Sequence, residues 1–486
     1  MSFKGRTVLA LVLLTMMGSV LITLSVADQW DRETKQASSG SVAAAADGGG
    51  QFELKKEELA KLNAVMELIE TKYYEEVDRE ELVDGAVEGI MSALKDPYSV
   101  YMEEETATHF SESIEGSFSG IGAEVTSENG KIVIVSPIKG SPAEQAGLHA
   151  KDILMSVNGE SMEGLSLQEA VMKIRGPKGT KVKLEVQRSG FSEPVQIALI
   201  RDDIDIETVY ATLGPDGIGV IEIRQFSLNT AKRFKEELEK LEREGMTGLV
   251  LDVRNNPGGV LPVVVEIAQT MMKEGATVVQ VEGRDGDRKG TLAEGGEKKP
   301  YPIAVLTNKG SASASEILAS SLQEASGAKV VGERSFGKGT VQVSYNKALG
   351  DGSLIKMTIA KWLTPKGNWI HEKGVEPDIE VAPPEMYSVA RMTKEVTLKR
   401  DQLNESIRSA QIMLEGLGYK PNRDDGYFSI DTEEAVRKFQ SERNLPVTGE
   451  IDDNTALALE KAVIDWLRDK DNDVQLQKAI ETVSRK

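Results

Sequence analysis

At 486 residues the chain is long enough for about three domains of ordinary size, each able to bury its own core. With 58 Lys+Arg against 78 Asp+Glu the formal net charge is -20, and so acidic a surface repels phosphate backbones, which excludes nucleic acid as a partner. There is no cysteine, so disulfides, thiolate metal sites and cysteine nucleophiles are excluded together, and any histidine base must be His109, His149 or His371.

Lys4 and Arg6 precede an apolar run from Val8 to Val26, broken only by Thr, Gly and Ser. Positive charge ahead of a hydrophobic stretch marks an export signal that leaves the N-terminus in the cytoplasm. As a helix the run would measure about 28 Å, close to the hydrocarbon thickness of a bilayer. Residues 1–27 are therefore expected to be a signal or single-pass anchor, with the rest outside the cytoplasm. Small residues at Ser25-Val26-Ala27 leave cleavage after Ala27, and release toward the cell wall, as the second outcome. Residues 28–52, which include ASSGSVAAAADGGG, lack large apolar side chains and read as a flexible linker. Over 53–110 the texture is helical. Leu59, Leu62, Val65, Met66 and Ile69 recur at spacings of three and four, a face suited to packing on a core or pairing two copies as a homodimer. Asp96-Pro97-Tyr98 breaks that pattern.

Short strands follow over 111–192: Gly122–Thr126, Lys131–Val135, Ile153–Val157 and Lys181–Gln187, with helices around Pro142–Gly147 and Ser166–Ile174. Two stretches stand out. Glycines in Ser119-Gly120-Ile121-Gly122-Ala123 let consecutive N–H groups converge into a nest for a carboxylate. Ser141-Pro142-Ala143-Glu144-Gln145-Ala146-Gly147-Leu148 leads to Asp152-Ile153-Leu154 and the hairpin signal Asn158-Gly159. Together they resemble a PDZ domain. The resemblance implies that a protein substrate's C-terminus adds as a strand beside Ile121–Glu124, with Gly120, Ile121, Gly122 and Ala123 forming the peptide site. Ala150-Lys151 departs from the Pro-Gly of many such domains, a change in a turn rather than in the groove.

Residues 193–385 alternate strands (Gly219–Ile223, Gly248–Val253, Ile303–Thr307, Lys329–Val331) with helices (Thr230–Arg243, Leu261–Lys273, Ser313–Ala325), then turn β-rich at Val341–Tyr345 and Leu354–Leu363. Ser311-Ala312-Ser313-Ala314-Ser315-Glu316 starts a helix directly after an apolar strand. Unpaired N–H groups at such a start can stabilise an oxyanion. Taken alone, however, Ser313-x-x-Glu316 is better read as a capping box. Downstream, Gly337-Lys338-Gly339-Thr340 enters an apolar strand. A lysine buried there falls from about 10.4 toward neutrality and becomes a usable base. Gln342, four positions on, lies on the same side of an extended strand. Upstream, Asp252-Val253-Arg254-Asn255-Asn256-Pro257-Gly258-Gly259 ends a strand in a glycine turn that could add an oxyanion donor. A phosphate-binding loop is not read at Lys338, because a strand rather than a helix is expected next. No HExxH spacing occurs, so a metalloprotease is excluded on motif grounds, and no metal or cofactor is expected.

Ser311–Ile317, Gly337–Gln342, Asp252–Gly259, Asp96-Pro97-Tyr98-Ser99 and Gly374-Val375-Glu376-Pro377-Asp378 together resemble the C-terminal processing peptidases, over about 55–385. That resemblance implies a serine endopeptidase with a Ser/Lys dyad. Its nucleophile would be Ser313, its base Lys338 at the family's 25-residue spacing, and its supporting residue Gln342. Ala314 and Gly258 would donate to the oxyanion. It also implies gating by the PDZ unit, for which Arg175 is a candidate relay. Residues 398–465, with Leu403, Ile407, Ala410, Leu414 and Leu417 at helical spacing, resemble a small three-helix peptidoglycan-binding domain, so peptidoglycan is a further expected partner. The closing helix, 466–486, has few apolar positions and is expected to pair with the N-terminal helices. The fold class is thus multidomain α+β: a helical N-terminal region, a PDZ β-barrel-like domain, an α/β crotonase-like peptidase core including 53–110, and the three-helix unit. Two rival functions are a catalytically silent PDZ scaffold at the cell wall and a crotonase-like acyl-CoA enzyme.

Overall fold

The computed structural model describes residues 54–484, apart from Asn129, Ser192, Lys347, Ala390, Arg391 and 393–395. The expected anchor and linker lie outside these residues. Among the described residues no helix is long and apolar enough to cross a membrane. The chain forms two compact units. One comprises Gln342–Thr358 with the described residues up to Thr108; the other comprises His109–Val341 with the described residues from Ile359 onward.

In the smaller unit the helical pattern resolves into Lys56–Lys72 and Arg79–Ser92, the second started by Asp78, whose carboxylate accepts the Glu80 N–H (2.8 Å). The strand Val100–Met102 pairs antiparallel with residues 354–356, at the head of the strand Leu354–Leu363. No residue of Lys56–Lys72 is buried: the periodic apolar positions Leu59, Leu62 and Val65 are exposed.

In the larger unit, five antiparallel strands run in the order Ala123–Glu128, Lys131–Pro137, Ile153–Val157, Lys181–Gln187 and Val195–Ile200. Their alternating inward residues, Ile132, Ile134, Leu154, Val182, Leu184 and Val186, form one core with Ile121, Leu148 and Met162. The boundary expected at 192 falls inside this sheet, because Val195–Ile200 supplies its last strand. Lys151 adopts φ 70, the left-handed conformation for which glycine is the usual residue, so the departure noted above is confined to a turn.

The next sheet has six strands, Val209–Leu213, Ile218–Ile223, Gly248–Asp252, Ile303–Thr307, Lys329–Gly332 and Ile379–Glu380; the first pair is antiparallel and the rest parallel. All of Ile303–Thr307 is buried, as a central parallel strand covered on both faces requires. Helices Thr230–Arg243, Leu261–Gln269 and Ala314–Ser321 cover one face. The other face is covered by the closing helix, Val474–Val483, through Leu476, Ala479 and Val483 against Val250, Ala304, Leu306 and Val331. Three apolar residues on one stripe suffice to seat this helix when an open sheet face waits for them. A hairpin of Thr277–Gly283 and Arg288–Leu292, unforeseen from the sequence, turns at Asp285-Gly286. Beyond it, helices Glu405–Gly416, Ile430–Glu442 and Asp453–Arg468 pack around Ile407, Leu414, Phe428, Phe439 and Leu459. Each is started by a side-chain cap: Asn404, Ser429 and Asp452.

Candidate active site

The central strand Ile303–Thr307 hands the chain to a tight turn and then to the helix Ala314–Ser321. Three serines line this passage, and their surroundings differ. Ser311 and Ser315 are fully buried, their hydroxyls donated to the carbonyls of Val253 and Asn256 (both 2.8 Å). Ser313 alone is partly exposed, and its backbone sits at φ 54, ψ -111, a conformation costly for any residue with a Cβ. The N–H of Ala314, the first of the helix, has no partner among the described residues.

Beneath Ser313 lies the fully buried carboxylate of Glu316. One oxygen accepts the N–H groups of Ser313 (2.7 Å) and Lys338 (2.8 Å); the other accepts the Ser335 hydroxyl and the Gly337 N–H (both 2.6 Å). Burial pushes this carboxyl above the usual range, although the four donors pull the other way. The capping-box reading of Glu316 was therefore correct but incomplete. The same side chain binds the loop carrying Lys338 to the turn carrying Ser313. From the other side, Trp362 and Trp369 donate their indole N–H groups to the carbonyls of Lys338 and Gly339 (both 2.8 Å). The Gly339 N–H donates to His371 Nδ1 (3.3 Å), and the imidazole stacks on Trp369. Lys338 itself is half-buried, and the strand Thr340–Tyr345 follows it.

Gly258 packs directly against this turn. At φ 107, a Cβ there would lie 2.8 Å from both Ser313 Cβ and the Ala312 carbonyl oxygen, so no larger residue fits. Its N–H is already donated to Asn256 Oδ1 (2.9 Å), which qualifies its expected role as a ready oxyanion donor. Two residues beyond the strand Gly248–Asp252, Arg254 is held by Asp252, Asp473 and Gln475, so the closing helix is fastened to the segment that leads into Gly258. Gln342 belongs to the smaller unit, where its amide N–H donates to Thr358 Oγ1 (3.1 Å).

The two stretches behind the PDZ reading interlock. The Gly122 carbonyl accepts the Ser141 hydroxyl and the Ile138 N–H, and the Ile121 carbonyl accepts the Ala143 N–H (all 2.8 Å). Gly122 is at φ 74 with the Ser141 side chain against its Cα. Ala123 opens a strand at the edge of its sheet. Beside it, Arg175 ends the helix Leu167–Ile174, pairs with Glu112 (2.7 Å) and lies over the Phe118 ring. Glu112 also accepts the Ser119 N–H (3.3 Å), so Arg175 is joined to the Gly120 loop through one carboxylate.

Known proteins match this arrangement along most of its length. The model of peptidase family S41 matches residues 217–381, that of the activating protease CtpB N-terminal domain 16–106, the PDZ domain 110–187 and a peptidoglycan binding domain 404–459. The chain is 47% identical over 426 residues to the carboxy-terminal processing protease CtpB of Bacillus subtilis (strain 168), covering 87% of this chain and 88% of that protein. It is 42% identical over 425 residues to CtpA of the same organism, covering 87% and 90%. The chain belongs to the carboxy-terminal processing proteases of family S41. It is a serine peptidase with a PDZ domain and a peptidoglycan-binding type of domain. For a protease of this family, the residues that sequence reasoning missed are Trp362, Trp369, His371 and Thr358, along with three of the four donors on Glu316. Each acts through a hydrogen bond to a residue distant in sequence, and only the Ser313–Glu316 spacing leaves a local trace.

Proposed function

We propose that Ser313 is the nucleophile and Lys338 the general base of an endopeptidase acting on protein C-terminal regions. The observation that carries this reading is the difference among the three serines. Two are locked into backbone hydrogen bonds, whereas Ser313 is accessible, strained and tied with Lys338 to one buried carboxylate. In the reaction the neutral Lys338 amine takes the Ser313 proton as Oγ bonds to the scissile carbonyl carbon. The oxyanion is met first by the Ala314 N–H, and by the Gly258 N–H as it is shared with or released from Asn256. Collapse breaks the C–N bond, with the proton passing from Lys338 to the leaving amine. Water, deprotonated by the Lys338 amine, then bonds to the acyl carbon, and Lys338 returns that proton to Ser313 Oγ as the ester C–O bond breaks. Gln342 supports the lysine.

Substrate C-termini enter as a strand on the open edge at Ala123, with their carboxylate on the Gly120–Gly122 amides, and Arg175 relays occupancy of that groove. The exposed apolar face of Lys56–Lys72 supports pairing with a second copy, since such a stripe is normally covered. Residues 1–27 tether the chain to the membrane with its catalytic part outside, and the 404–459 domain holds peptidoglycan.

The test is cleavage of an unfolded protein with an apolar C-terminus by the full chain in detergent, beside Ser313→Ala and Lys338→Ala of unchanged circular dichroism. Loss of cleavage in both variants is expected. Cleavage that survives in Ser313→Ala would displace the nucleophile; an inactive wild type, even with PDZ-binding peptide added, would favour the silent scaffold.

A further inference from the structure

Asp96-Pro97-Tyr98-Ser99 has no part in the mechanism above, yet in the smaller unit it begins a series of hydrogen bonds that passes through the Thr358 backbone and ends at Gln342. The Asp96 carboxylate accepts the Tyr98 N–H (3.1 Å) and the Ser99 hydroxyl (2.6 Å). Ser99, only 6% exposed, accepts the backbone N–H of Thr358 on its Oγ (3.0 Å). Thr358 Oγ1 in turn accepts the amide N–H of Gln342 (3.1 Å). The register Val100↔Lys356 and Tyr101↔Ile355 brings the motif alongside the strand that carries Thr358.

The chemistry of an amide makes this chain consequential. A glutamine side chain has a donor end and an acceptor end, and here it is the donor end, Nε2, that lies on Thr358. A lysine acting as a base is a neutral amine that needs its lone pair for the serine proton, so its supporting group must accept an amine N–H. The amide oxygen does that; a reversed amide would offer N–H and compete for the lone pair. We propose that Asp96, Ser99 and Thr358 are positioning residues that hold the Gln342 amide in the orientation the base requires. This rests on Gln342 being the supporting residue, as read above.

The test measures kcat, KM and melting temperature for the full chain carrying Gln342→Ala, Thr358→Val, Thr358→Ser, Ser99→Ala, or Gln342→Ala with Thr358→Val. Thr358→Val and Ser99→Ala are expected to lower kcat about ten-fold, with KM and melting temperature little changed. Thr358→Ser, which keeps the acceptor, should recover kcat to within about two-fold of wild type. In the Gln342→Ala background Thr358→Val should cost nothing more, because the amide it orients is gone. Wild-type kcat in Thr358→Val beside an impaired Gln342→Ala would overturn the relay alone. A Thr358→Val loss that multiplies with that of Gln342→Ala, or that appears in KM or melting temperature instead of kcat, would overturn it too and leave the motif a structural turn. Wild-type kcat in Gln342→Ala would overturn the supporting role of Gln342 and the relay together.

Discussion

Two loops of the larger unit are each joined to a distant segment by a single glutamate, Ser313 to Lys338 through Glu316 and the Gly120 loop to Arg175 through Glu112, but the surroundings differ. Glu316 is fully buried and accepts four donors, three of them backbone N–H groups, so its partners have no water to turn to. Glu112 and Arg175 keep 20% and 31% of their side chains exposed, and the guanidinium can exchange its carboxylate for another, or for water. The same bond is worth far more where no alternative exists. The Ser313 turn is thus built to stay in place, whereas the Arg175–Glu112 pair can exchange partners.

Removing the buried carboxylate is the severest way to break this contrast. Glu316→Ala strands three backbone donors and a hydroxyl, at about 1–3 kcal/mol for each that stays dry. Urea denaturation should show a loss of about 3 kcal/mol or more, with kcat down at least about 100-fold. Near-normal activity would mean the turn holds its shape without the clamp. An intermediate case is Arg254, whose partners Asp252 and Asp473 keep 13% and 25% of their side chains exposed. Burial alone would raise the Asp473 carboxyl, but the Arg254 guanidinium outweighs it and holds the pKa low. Asp473→Ala should cost about 2 kcal/mol at neutral pH. Because the folded pKa lies below the unfolded one, that contribution is complete above about pH 4 and is lost as pH falls through the folded value. Wild type and variant should therefore converge in stability in acid, and a gap that persists there would point to lost packing instead. Arg175→Ala should matter least for folding, at no more than about 1 kcal/mol. Its effect should appear in peptide-stimulated cleavage; stimulation at the wild-type level would remove Arg175 from the gating path.

The local features of this site were readable in advance for a physical reason. The serine run, the Gly-Lys-Gly turn and the Asp-Pro-Tyr-Ser turn are short because backbone geometry over a few residues creates them. Where a side chain serves two segments at once, only one of its roles shows. Ser313-x-x-Glu316 predicts a cap, and nothing near Glu316 reveals that Ser335, Gly337 and Lys338 also end on it. Nothing near His371 in the sequence reveals that its ring accepts the Gly339 N–H. Gly258 was expected to present its amide, but Asn256, two residues back, takes it.

The sequence by itself determined the modules, their order and the residue types at the candidate site, because periodicity, caps and turn chemistry act over a few residues. Only the tertiary structure decided which serine is left accessible and which carboxylate gathers the loops. It also decided that the closing helix covers the peptidase sheet. Those outcomes depend on which buried donors lack water and which apolar faces lack a cover, and folding settles that between segments hundreds of residues apart.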